Sequence, residues 1–110
     1  MRRLDFIVRG SKGDEYNISF TRDYDNLTAR CTCRAGEVGM YCKHRFALME
    51  GDVTNLISNN YNDVAKIKEL IAGSDVEAAI VSLKNAELAL DDAKKEVSRR
   101  KKALARAMAD

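Results

Sequence analysis

The stretch CTCRAGEVGMYCKHR, Cys31 to Arg45, holds all three cysteines and the only histidine of a 110-residue chain. Its spacing is C-x-C, eight residues, then C-x-H. Structural zinc takes four ligands in a tetrahedron and prefers thiolate and imidazole. Cys31, Cys33, Cys42 and His44 supply that set with nothing left over. On an extended chain side chains repeat every two residues, so a strand end carrying C-x-C presents both sulfurs to one ion. The C-x-H pair then closes the site from a turn into a helix. One zinc per chain is the expected cofactor. Three thiolates and a divalent cation leave one negative charge, which Arg30, Arg34, Lys43 and Arg45 are placed to offset. The competing readings are buried free cysteines with a packing histidine, and a redox role for Cys31 and Cys33. The second lacks both the two-residue spacing and the helix start that such chemistry uses.

Upstream of the cluster the chain alternates. RLDFIVR puts Leu4, Phe6 and Val8 on one face, YNISFTR does the same with Tyr16, Ile18 and Phe20, and NLTARC with Leu27, Ala29 and Cys31. Turn-tolerant residues lie between these runs, from Gly10 to Gly13 and from Asp23 to Asn26. A three-stranded antiparallel meander is predicted, its last strand delivering the first two ligands. Arg34 to Tyr41 reads as an aperiodic loop, and KHRFALMEG as a short helix stopped at Gly51.

Downstream the period becomes helical. Val53, Ile57, Tyr61, Val64, Ile67 and Ile71 form one stripe, and Gly73, Ser74 and Asp75 break the chain and cap the next segment. Val76, Leu83, Leu90, Val97 and Leu104 then recur every seven residues. Ala79, Ala86, Ala93 and Ala107 follow three places after their leaders, with Arg100 the one break. Small residues there let a second helix approach closely. A helix over 76–108 would run about 50 Å, beyond the ~30 to 35 Å breadth of a compact globule this size. The expectation is an α+β chain of two domains: residues 1–51, a zinc-bound meander with a short helix, and residues 52–110, a long helical hairpin or coiled-coil-like extension. Its bare end would pack on a second copy, giving a homodimer through Val76, Leu83, Leu90, Val97 and Leu104, or on another protein.

Composition excludes several classes. With 45% apolar and 33% charged residues of mixed sign the chain can fold. No apolar run approaches the ~20 residues of a membrane span, and Arg9 interrupts the only apolar stretch near the N-terminus. Three cysteines, two of them a residue apart, make a poor disulfide framework. A reducing compartment is expected, cytoplasmic or, in a eukaryote, nuclear, with no secretion and no membrane partner. About fifty residues of sheet and short helix bury little, and structural zinc can contribute on the order of 10 kcal/mol of coupled folding.

The ligand order resembles the SWIM-type zinc finger, whose signature is C-x-C, a variable gap and C-x-H. The likeness covers roughly Tyr16 to Glu50, including Lys43 between the last two ligands and the apolar helix after His44. It implies zinc ligation by Cys31, Cys33, Cys42 and His44. Members occur in transposases, beside helicase-like ATPases, in ubiquitin ligases and in recombination adaptors, where the finger is taken to bind DNA or protein. This sequence departs in context, with no catalytic domain and a heptad helix of its own.

Catalytic zinc keeps an open position, whereas here four ligands fill it, and Glu37 is the one carboxylate in the loop. A non-catalytic binding protein is expected. Arg30, Arg34, Lys43 and Arg45, with a tail carrying Arg99, Arg100, Lys101 and Lys102 among seven bases against Glu96 alone, point to nucleic acid. The acidic start of the same helix, at Asp75, Glu77, Glu87, Asp91 and Asp92, makes it complementary to itself when antiparallel. That favours a protein-interaction adaptor or inhibitor, with the zinc purely structural.

Overall fold

The computed structural model describes residues 2–109. Strands β1 (Arg2–Arg9), β2 (Glu15–Asp23) and β3 (Asn26–Cys31) form an antiparallel sheet in the order β1-β2-β3. This is the meander that the alternation predicts. Pairing sets Phe6 against Ile18 and Ile18 against Cys31, so one row across the sheet runs from an aromatic ring to the first ligand. Phe6, Val8, Ile18, Phe20, Leu27 and Cys31 are buried on that face. The Phe6 and Phe20 rings meet edge to face at 6.0 Å, a favoured aromatic arrangement. Between β2 and β3 the left-handed residue is Tyr24, at φ 53°, rather than one of the neighbouring Asp or Asn residues. The Arg22 guanidinium holds it by donating to the Tyr24 carbonyl.

Helix α1 (Arg34–Glu37) is a single turn and α2 (Lys43–Met49) follows it. At the end of α2, Gly51 takes φ +86°. Its N–H bonds to the Leu48 carbonyl at 3.0 Å while Asp52 N–H reaches the Ala47 carbonyl at 2.9 Å. This paired closure satisfies carbonyls that a helix end otherwise leaves open, so the predicted stop at Gly51 stands.

The next segment departs from expectation. Val53 to Asn60, predicted helical, is an irregular segment of turn and bend that lies along the edge of β1, with one antiparallel bridge between Leu56 and Val8. Arg9 N–H bonds to Asn55 O at 2.9 Å, Ile57 N–H to Ile7 O at 2.8 Å, and Ile7 N–H to Ser58 Oγ at 3.1 Å. A bare strand edge demands hydrogen-bond partners. The side chains of Ser58 and Asn60 supply two of them, because such side chains compete with helical backbone bonding. Asn59 sits at φ 62°, and Asn60 Nδ2 donates to Asp5 O at 2.8 Å.

Helix α3 (Tyr61–Ile71) therefore starts later than predicted. Its buried residues Val64, Ile67, Leu70 and Ile71 lie with β1, β2 and α2. Helix α3 takes this place because the apolar sheet face needs a cover and α3 is next in the chain. Arg22, on the core face of β2, donates from Nη1 to the carbonyls of Leu70 and Ala72 at 2.7 and 2.8 Å, closing the C-terminus of α3. Replacing Arg22 with Met keeps the aliphatic stem and removes the donors. Thermal denaturation is expected to show a loss of about 1–2 kcal/mol.

The chain forms two compact units, Met1–Glu77 and Ala78–Asp110. Helix α4 (Asp75–Ala109) spans 35 residues. Ser74 caps it, accepting from Glu77 N–H at 3.2 Å while the Glu77 carboxylate accepts from Gly73 N–H at 3.1 Å. None of its residues is buried, and Leu83, Leu90, Val97 and Leu104 are all exposed. Among the described residues no helix is long and apolar enough to cross a membrane.

Candidate metal centre

The end of β3 sets the first half of the site. Thr32 N–H bonds to Asn17 O at 3.1 Å, and Asn17 N–H to Thr32 Oγ1 at 2.9 Å. The ladder thus continues one residue past the strand, and Cys31 and Cys33 flank Thr32 on the buried side. Cys33 then caps α1, its sulfur accepting the Gly36 N–H at 3.3 Å. A turn of helix after the C-x-C pair is what the sequence reading missed. Its use is to bring an amide to a ligand sulfur, the kind of outer hydrogen bond that orients metal ligands.

The second half comes from the start of α2, with Cys42 at the cap and His44 in the first turn. Cys33 Sγ lies 3.3 Å from Cys42 Sγ, Cys42 Sγ 3.6 Å from His44 Nδ1, and Cys31 Sγ 4.0 Å from His44 Nδ1. All four donor atoms lie within 4.8 Å of one another. Bonds of about 2.3 Å to sulfur and 2.0 Å to nitrogen in a tetrahedron give edges of about 3.8 and 3.5 Å. The donor set and its spacing fit one structural zinc ion, with Nδ1 as the histidine donor. The three cysteines are buried, and the Tyr16 ring sits 5.0 Å from that of His44.

Burial pushes the Cys31 thiol up to about 12. Burial acts in the same sense on Cys42, but hydrogen bonds from the Arg45 backbone and from the neighbouring cysteines outweigh it and its pKa falls. The His44 pKa is lowered by burial and by the adjacent Lys43 charge, which favours the neutral imidazole that a metal requires.

The four basic residues expected around the ligands separate. Arg45 is a strut: Nη1 donates to Ala29 O at 2.8 Å and Nη2 to Met40 O at 2.7 Å, tying β3 to the loop before α2. Arg30 alternates with Cys31 along β3 and is exposed on the opposite side of the sheet. Arg34 and Lys43 are exposed beside the ligands. Lys43 and His44 also line a cleft of about 250 Å³ with Arg9, Ser11 and Asn55. Arg9 is thus a cation near the site that sequence distance concealed.

The family model of the SWIM zinc finger matches residues 8–50, beginning earlier than the likeness read from the ligands. No curated protein and no solved structure matches the chain. The match runs from the end of β1 through α2, and the four donors converge where the motif requires them, so residues 8–50 are similar to a SWIM zinc finger and carry its zinc-ligand set.

Proposed function

We propose that this chain is a small non-catalytic binding protein that engages nucleic acid, DNA in the first instance, either directly or within a DNA-associated complex. Support for the non-catalytic reading is that four protein donors would complete the coordination of a zinc ion, where zinc catalysis uses an open position for water or substrate. The observation that carries the nucleic-acid reading is the exposure of all seven bases from Lys94 to Arg106 on α4. Arg9, Arg34 and Lys43 add exposed charge at the finger.

The test is the salt dependence of duplex DNA retention. With Arg99, Arg100, Lys101 and Lys102 all changed to Gln, the slope of log affinity against log salt should drop by about 0.9 for each phosphate those side chains neutralise. No retention even at low salt removes this reading. It would leave an adaptor acting through α4, which the exposed Leu90, Val97 and Leu104 favour.

A further inference from the structure

The heptad stripe of α4 is exposed from Leu83 to Leu104, and its layers show what fits it. We infer that α4 pairs with α4 of a second copy of this chain, antiparallel, about a two-fold axis level with Asp91 and Asp92.

In this register Leu90 faces Ala93 of the second copy, Val97 faces Ala86, Leu104 faces Ala79 and Val76 faces Ala107. In these four layers each large side chain meets a small one, so their volumes are nearly even and the helices approach closely. Arg100 faces Leu83, along which its stem can lie while Glu96 holds its head, Nε to Oε1 at 2.8 Å. The parallel alternative stacks Arg100 on Arg100 and alternates Leu with Ala layers, combining like-charge repulsion with voids.

Charge agrees with packing. The half from Asp75 to Asp92 has five acids against Lys84, and the half from Lys94 onward has seven bases against Glu96 among the described residues. Antiparallel pairing lays each half on its opposite. At the flanks of the seam Glu87 meets Lys94 of the second copy, and symmetry makes that pair twice. Lys95, Arg99, Lys102 and Arg106 fall on the outward side, free to approach phosphates.

Sedimentation equilibrium of the zinc-loaded chain tests this. The native chain should sediment as a dimer, and Leu90→Lys with Val97→Lys should give a monomer that keeps its zinc. Glu87→Lys and Lys94→Glu alone should each weaken self-association about tenfold, since two attractive pairs become repulsive. Mixing the two variants should restore a heterodimer of native strength, and so should combining both changes in one chain. In a parallel pair these positions do not meet, and no rescue would occur. A native chain that stays monomeric at every concentration, or variants that fail to rescue each other, overturns the proposal.

Discussion

Stripping the zinc with a chelator, or replacing Cys42 with Ser, is expected to abolish the tertiary structure of the first unit and to leave most of the helical signal standing. Structural zinc contributes on the order of 10 kcal/mol to folding, comparable to the whole ~5–15 kcal/mol stability of an ordinary domain. Cys31, Cys33 and Cys42 are buried, so a metal-free site leaves thiols packed where an ion belongs. The start of α2 then loses its metal bridge to the end of β3 and keeps only the Arg45 hydrogen bonds. Helix α4 holds 35 residues against 4, 7 and 11 in α1, α2 and α3, and lies almost wholly in the other unit. Far-ultraviolet circular dichroism should therefore change little, while the near-ultraviolet signal of the tyrosines and phenylalanines collapses. Retention of the near-ultraviolet signal after complete metal removal would show that the apolar core suffices alone.

The same experiment has a pH axis. Thiols of the unfolded, metal-free chain are protonated at neutral pH, so zinc must expel their protons on binding. Apparent affinity rises with pH and falls toward acid, by about tenfold per pH unit for each proton released. Calorimetry in buffers of differing ionisation enthalpy counts those protons.

Gly36→Ala should weaken zinc binding by about 10- to 100-fold. A Cβ there would sit 2.5 Å from the Cys31 carbonyl oxygen and 2.9 Å from Cys31 Cβ. Neither can yield, since Cys31 belongs to β3 and is itself a ligand. The α1 turn must back away, taking the Gly36 N–H from the Cys33 sulfur and loosening the C-x-C geometry. Such overpacking also costs about 1–3 kcal/mol of stability. Gly39→Ala is the control. Its Cβ meets nothing within 4 Å, so only the left-handed φ of +76° is strained, at about 1 kcal/mol. Competition with a chromophoric chelator measures both variants, and equal affinities would mean that the close approach is dispensable.

The ligands were legible because four soft donors crowd into fourteen positions of the sequence. The sheet was legible because period-two alternation leaves one choice of buried face. Val53 and Ile57 misled because spacings of three and four match a helix, yet hydrogen bonds along β1 override weak helical preference. Arg45 resembled a phosphate ligand in sequence and serves as a strut, because its partners Ala29 and Met40 adjoin it only once β3 and α2 are placed.

By itself the amino-acid order determined the metal ligands, the meander, the stop at Gly51 and the cap at Ser74, all properties of near neighbours in the chain. Tertiary structure decided that α3 covers the sheet, which cations stand beside the ion, and why Gly36 must lack a side chain. Those depend on which surfaces meet across long sequence separations, and burial and hydrogen bonding settle that only when the chain has closed on itself.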